Sequence, residues 1–428
     1  MDDGVKVLLI TASSPEMRRI RRTRYINFQQ CTMPYLASFF PDEWEISHVD
    51  EYCERIEFSQ NYDIVGLTFH TPSAPHAYEI ADAFRAKGSY VIMGGPHATI
   101  APDDAQRHAD TIFVGEAEYT LPHFISDFLH GDAKPRYTCE IPPSLDDVPF
   151  SRKAMLHRHD HAGGIMFATR GCPNNCSFCT LAKMYGQSFR KRPIEQVARE
   201  FGSFPGKVVI FWDDNLAADL EYAKELFKAI KPYRKWWSCQ VSTNAGSDDD
   251  FLELAKQSGC KQLFMGFESI SAQSLAGAGK SFNKPDDFAH IIHNVHAHQI
   301  SMQAGIVFGF DEDEPDVFNQ TSDFLETNGI QNATFHILTP YPGTPLFDRL
   351  NKEGRILTYD WSKYNAREDV VFIPKNMSAE ELLEGFRRVN RRFYSLTGVA
   401  RRLRRSSVGL YWTLPLNIAY GWLYAHRG

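Results

Sequence analysis

Short apolar runs alternate with helix-patterned stretches along most of this chain. In the first third, residues 5–10, 64–68, 90–93 and 111–114 are apolar runs of the kind that form parallel strands buried on both faces. Residues 77–87, between the second and third runs, carry apolar side chains at helical spacing. This alternation predicts a doubly wound α/β sheet, whose ligands sit beyond the carboxyl ends of the strands. The loops at those ends are Gly66-Leu67-Thr68-Phe69-His70-Thr71, Gly94-Gly95-Pro96-His97 and Gly115-Glu116-Ala117-Glu118. Pro142, Pro143 and Pro149 mark an irregular linker over 141–163. The pattern resumes at residue 164, with strands at 165–169, 207–212, 237–242, 262–267, 302–308 and 332–338. Helices fall between them at 193–201, 221–230, 248–257, 286–298 and 315–327. Six β/α units in a row predict a partial (β/α)6 TIM-like barrel over 164–375, with its chemistry at the strands' carboxyl ends. Residues 377–396 read as an amphipathic helix, acidic early and basic late, opening a small helical segment over 376–428.

Composition narrows the function. At 428 residues, 43% hydrophobic, the chain is long enough for two or three domains. A net charge of −7 argues against a general nucleic-acid partner. That total hides two basic runs: Arg18, Arg19, Arg21, Arg22 and Arg24, and then eight arginines from Arg387 to Arg405, with no acidic residue after Glu384. The first residues hold Asp2, Asp3 and only a short apolar strand, unlike a targeting peptide, and eight cysteines without such a signal fit a reducing cytoplasm. The apolar, aromatic run 408–425 carries Pro415 and two glycines. It reads either as helices closing the open side of the barrel or as an interfacial element suited to peripheral membrane contact. His157, His159 and His161, like His293, His296 and His298, lack a nearby Cys or carboxylate partner and read as linker or surface residues.

The decisive motif is Cys172-Pro-Asn-Asn-Cys176-Ser-Phe-Cys179. Iron–sulfur cubanes usually take four Cys, so three thiolates on one loop leave one iron open to a small molecule. A zinc ribbon would need a fourth ligand at matching spacing, and Cys139, Cys239 and Cys260 stand alone. This spacing, with Phe178 just before the third Cys, resembles the radical SAM superfamily. The resemblance implies a 4Fe-4S cluster on Cys172, Cys176 and Cys179, with S-adenosylmethionine on the open iron. It further implies that Phe178, Asp213, Asp214, Asn215, Ser242, Glu268, Ser269, Gly305 and Gly309 surround S-adenosylmethionine. Tyr341-Pro342-Gly343-Thr344-Pro345 follows the sixth strand, as in many radical SAM chains with this type of N-terminal domain.

The N-terminal loops look like those of the cobalamin-binding domain fused to many of these enzymes. That likeness implies a Rossmann-like domain over 1–140 in which Thr68, Thr71, Gly94, Gly95, His97 and Glu116 contact cobalamin. Corrinoid domains with a His cobalt ligand place Asp-x-His-x-x-Gly after the first strand. Here that loop is Thr11-Ala12-Ser13-Ser14-Pro15, so cobalamin is expected without a His axial ligand, and His70 and His97 read as loop or pocket residues. The resemblance implies methylation of an unactivated carbon by a 5′-deoxyadenosyl radical and methylcobalamin. The substrate would be a small hydrophobic molecule such as a tetrapyrrole, hopanoid or isoprenoid, and the electron donor a flavodoxin or ferredoxin. A cyclase, hydroxylase or carbon–carbon coupling enzyme using the same cofactors is the alternative.

Overall fold

A computed structural model describes residues 4–14, 16, 31–149, 164–404, 406 and 408–425. The arginine run 18–24, the histidines at 157, 159 and 161 and most of the 141–163 linker lie outside the described residues. Each half of the chain is built around one parallel sheet. The first sheet joins β1 (Lys6–Thr11), β2 (Glu45–Asp50), β3 (Ile64–Thr68), β4 (Tyr90–Gly94), β5 (Thr111–Val114) and β6 (Arg136–Thr138) in the order β2-β1-β3-β4-β5-β6. Val7, Leu8, Leu9 and Ile10 of β1 are buried on both faces, which is why their run is continuous rather than alternating. Helices Ala74–Arg85 and Thr120–His130 cover opposite faces of this sheet, seating Phe84 and Phe124 in separate apolar clusters. The edge strands β2 and β6 escape the sequence pattern. β2 is polar at four of its positions, Glu45, Ser47, His48 and Asp50, and β6 is three residues long.

The second sheet holds β7 (Gly164–Met166), β10 (Val208–Phe211), β11 (Trp236–Val241), β12 (Cys260–Glu268), β13 (Ser301–Phe308) and β14 (Asn332–Ile337), all parallel and in chain order. The expected strand 165–169 is split. Its end, β8 (Thr169–Arg170), pairs antiparallel with β9 (Arg190–Lys191). The cause is Asp213 after β10, whose carboxylate accepts the backbone N–H groups of Ala168 and Thr169 and pulls the chain off the sheet. The helices Ile194–Ser203, Leu220–Ile230, Asp249–Ser258, Pro285–Ala297 and Val317–Thr327 cover the outer face, where Phe201, Phe227, Trp237, Phe251 and Phe267 are fully buried. Asp219 and Asp248 cap two of them by accepting the N–H of Tyr222 and Phe251. The result is the expected open six-unit barrel beside a Rossmann-like sheet.

The C-terminal segment forms helices Ala379–Tyr394, Leu396–Arg404 and Leu410–Ala425. The first opens with a capping box between Ser378 and Glu381 and packs Leu382, Phe386, Val389 and Phe393 into the barrel core. The last lies past β14, where Asn417 Nδ2 donates to Gln331 O at 3.0 Å and Asn332 Oδ1 at 2.9 Å. Residues 408–425 thus close the open side of the barrel, the first of the two readings. Among the described residues no helix is long and apolar enough to cross a membrane.

Candidate active site

The loop carrying Cys172, Cys176 and Cys179 leaves β8 and returns through β9, so this short hairpin clamps both ends of the excursion. Gly171 begins it at φ +88°, where a Cβ would stand 2.1 Å from Ser188 O, so only glycine fits. Farther along, Ser177 N donates to Ala278 O at 2.9 Å and Ser177 O accepts Leu346 N at 2.9 Å. The three thiols lie close enough that each negative charge would disfavour the next, and burial pushes Cys179 up to about 12. Lys280, which the sequence pattern did not single out, acts in the opposite sense on Cys176. Its ammonium bonds Glu268 Oε1 at 2.6 Å and Gly266 O at 3.0 Å. No cluster of three or more His, Cys, Asp or Glu among the described residues is arranged for a single metal ion. Three thiols on one clamped loop fit the three protein ligands of a cubane with one open iron.

Around that loop the expected S-adenosylmethionine residues divide. Asn215 Nδ2 lies 3.9 Å from Cys172 Sγ and 2.7 Å from Ser242 Oγ, while Ser242 N donates to Asn215 Oδ1 at 3.0 Å. Asp214 Oδ2 accepts Gly171 N at 3.0 Å. Phe178 meets Phe310 edge-on with centroids 6.0 Å apart. Glu268 sits at φ +64° beyond a register shift in β12, a backbone state uncommon for a non-glycine residue. Gly305 lies against the Phe264 ring, 2.8 Å from where its Cβ would be.

Three expected residues are occupied elsewhere. Asp213 holds Ala168 and Thr169, is 3% exposed, and burial pushes its carboxyl up to about 7. Through these bonds it positions the cluster loop. Gly309, at φ +106°, packs against Leu382 and Phe372 and donates its N–H to Asp313 Oδ2 at 2.9 Å, so its small size serves a core turn. Ser269 Oγ accepts Ser271 N at 3.1 Å within the next turn.

The cobalamin loops divide in the same way. Thr68, Gly94 and Gly95 line an apolar slot between β3 and β4, together with Leu9, Ile92 and Phe113. Gly95 has φ +88°, and a Cβ there would stand 2.2 Å from Thr68 Oγ1, so the turn is a cradle that a side chain would fill. Thr71 and His97 do not line this slot. His97 Nδ1 and Thr71 Oγ1 are 3.1 Å apart behind the loop, among Phe69, Tyr78 and Trp361, and burial lowers the imidazole to about 4. Glu116 does not line the slot either, and its carboxylate pairs with Arg170 and Arg190. Glu118 pairs with Arg170 and accepts the Tyr35 hydroxyl at 3.0 Å. These four charged groups tie the first sheet to the barrel; the sequence held Glu116 and Glu118 side by side but gave no sign of their partners.

The spaces adjoin one another through shared lining residues. Thr68 lines both the slot and a cavity of about 340 Å³ between the two sheets, walled by Phe69, Phe167, Tyr185 and Trp212. Trp212 and Asp214 line that cavity and also the barrel lumen, about 360 Å³. Thr169, Arg170, Thr180 and Leu181, on either side of the cluster loop, line the intersheet cavity.

This is the geometry of a radical S-adenosylmethionine enzyme with a corrinoid domain. Residues 166–321 match the model of the Radical SAM superfamily, residues 31–125 that of the B12 binding domain, and residues 344–413 that of a domain of unknown function. The chain is 33% identical to the bacteriochlorophyllide d C-12(1)-methyltransferase of Chlorobaculum tepidum, over 82% of this chain and 79% of that protein. It is 31% identical to the C-8(2)-methyltransferase of the same organism, over 78% and 79%. At lower identity, 24%, it resembles the hopanoid C-2 methylase of Rhodopseudomonas palustris over 76% of this chain and 64% of that one. Its fold is shared with the cobalamin-dependent S-adenosylmethionine radical enzyme OxsB, at TM-score 0.75 and 13% identity, over 99% of this chain and 71% of that one. The chain belongs to the radical SAM enzymes that carry a B12-binding domain; its cofactors are a 4Fe-4S cluster, S-adenosylmethionine and cobalamin.

Proposed function

We propose that this enzyme methylates an unactivated carbon of a tetrapyrrole. The carrying observation is that slot, intersheet cavity and lumen adjoin, sharing Thr68, Trp212 and Asp214 in their linings. Radical methylation needs the corrinoid face, the cluster and the target carbon in one closed space. When bound, the cluster with S-adenosylmethionine supplies a hydrogen-abstracting radical, and cobalamin supplies a transferable methyl group. The chain's own groups do the positioning. Cys172, Cys176 and Cys179 hold the cluster. Asp214 and Asn215, at the carboxyl end of β10, offer acceptors toward the methionine ammonium. Glu268, fixed by Lys280, would accept hydrogen bonds from hydroxyl groups of S-adenosylmethionine, and Phe178 would pack near its adenine. Thr68, Gly94 and Gly95 leave room for a nucleotide tail, and Phe69, Phe167, Tyr185 and Trp212 give the intersheet cavity aromatic walls. The tetrapyrrole assignment rests on likeness to the two bacteriochlorophyllide methyltransferases. A flavodoxin or ferredoxin supplies the electron, and the outer face of helix Leu410–Ala425 rests on a membrane surface.

The test is anaerobic purification with hydroxocobalamin supplied, iron and corrinoid counted per chain, then turnover with chlorophyllides and mass analysis of products. A product heavier by one methyl group, with 5′-deoxyadenosine formed alongside, is the expected result. Loss of hydrogens or gain of oxygen instead would favour the cyclase or hydroxylase chemistry. Absence of bound corrinoid would overturn the methylation reading.

A further inference from the structure

We infer that the barrel lumen binds a carboxylate of the substrate, with Arg367 as the cation that recognises it. This inference rests on the proposed function, because it takes the lumen as the substrate site. Parallel barrels ordinarily fill their interior with bulky branched side chains. Here many lumen-lining positions of β11 to β14 are polar instead: Ser238, Gln262, Gln303, Thr334 and His336 line the lumen with Arg367, beside the apolar Phe264. The strand registers place Gln262 beside Ser238, Gln303 beside Phe264, and Thr334 beside Gly305.

Several of these groups have no partner. Gln262 Nε2, Thr334 Oγ1 and Arg367 Nε are buried without a hydrogen bond, and Gln262 and Thr334 are only 6% and 8% exposed. Arg367 sits at the carboxyl end of β14, where Ala366 O accepts Ile337 N at 2.7 Å. Arg367 Nη1 forms an ion pair with the Glu16 carboxylate at 3.9 Å, while its Nε has no hydrogen bond. The acids that also line the lumen each accept backbone N–H groups. Asp213 holds Ala168 and Thr169, Asp214 holds Gly171, and both follow β10, which β11, β12 and β13 separate from β14 in the sheet.

A neutral hydrocarbon filling this space would leave each donor desolvated and unpaired. A carboxylate supplies acceptor lone pairs to a guanidinium and to neighbouring amide and hydroxyl donors, and its charge matches the one cation among the residues lining the lumen. The site therefore discriminates acids from their esters and from neutral terpenoids. Helix Leu410–Ala425 completes the pocket, with Tyr420 Oη 3.3 Å from Gln303 Nε2.

The experiment compares chlorophyllide a, which has one free propionate, with its propionate methyl ester. Both are titrated by fluorescence into the full-length protein loaded with cluster and cobalamin, without reductant. The acid is expected to bind at least tenfold more tightly than the ester. Arg367→Gln should remove most of that preference and Arg367→Lys should keep part of it, while both retain wild-type iron and corrinoid content. Equal binding of acid and ester, binding of neither, or a preference that survives in Arg367→Gln overturns the inference. Wild-type protein that lacks corrinoid or cluster before any ligand is added defeats the proposed function instead.

Discussion

His97 shows how a residue of suggestive type acquires a different role from its surroundings. Beside a Gly-Gly turn in a cobalamin-like loop it looks like a pocket residue, yet its ring is fully buried behind that loop. Burial depresses its folded pKa to about 4, below the ordinary value near 6.5. In the unfolded chain the imidazole takes up a proton below that ordinary value, whereas in the folded chain it stays neutral. Stability is therefore fully present above pH 6.5 and falls as pH drops toward 4, by roughly 3 kcal/mol over the window. Replacing His97 with Gln should flatten the melting temperature between those pH values, at some cost at neutral pH. A slope unchanged in the variant would assign the acid sensitivity elsewhere. Asp213 teaches the same lesson. Asp-Asp-Asn after a strand was legible as a site motif, but nothing in the sequence shows that the first carboxylate turns inward to two backbone N–H groups while the next two side chains face the mouth.

Elements with continuous apolar runs were legible, because strands buried on both faces leave an unambiguous pattern: β1, β3, β4 and β5 all lie where their runs place them. Edge strands were not, since β2 needs only one covered side and carries Glu45, Ser47 and His48. The polar lumen was hidden for another reason. Gln262, Gln303 and Thr334 alternate with apolar neighbours at the strand period, and a reading that seeks apolar runs passes over what the alternation encloses. At the cluster loop, the element's shape depends on one glycine. Gly171→Ala forces a Cβ against Ser188 O at a positive φ, and should lower iron incorporation on reconstitution and destabilise by about 1–3 kcal/mol or more. Gly131→Ala is the matched control, at φ +78° with nothing within 4 Å of its Cβ. It should cost only the left-handed strain, about 1–2 kcal/mol, with iron content unchanged. Equal iron loading in both variants would show that the loop tolerates a shifted entry.

At the scale of the whole molecule, function depends on holding two sheets at a fixed separation, and buried charge does much of the holding. Arg170 and Arg190 reach from the barrel to Glu116 and Glu118, with side chains 5–16% exposed. Removing one partner leaves the other charges desolvated, typically at about 3–5 kcal/mol. Glu116→Gln should therefore lower the melting temperature and speed the loss of bound corrinoid, measured by gel filtration of loaded protein. Retention equal to wild type would mean that the slot alone seats the cofactor. The outer face of the C-terminal helix poses a separate question. Leu410, Tyr411, Leu414, Ile418 and Trp422 are 40–62% exposed on a helix whose other side closes the barrel through Asn417. Not all the nearby arginines await a ligand: Arg402 is buried on the Phe393 ring, and Arg392 and Arg401 pair with Glu326. Arg387, Arg388, Arg391 and Arg404 remain exposed, and no acidic residue follows Glu384. An apolar face flanked by uncompensated arginines suits an anionic lipid surface, each arginine near the surface contributing about 1 kcal/mol at low salt. The protein should co-sediment with vesicles containing phosphatidylglycerol and less with neutral ones, and raised salt should weaken the binding. Leu414→Glu with Ile418→Glu should abolish it while leaving iron and corrinoid content intact, because both side chains point away from the barrel. Vesicle binding unaffected by that pair, or none at low salt, would assign this face to another use. A second copy of the chain is the first to examine, by light scattering of the same two proteins.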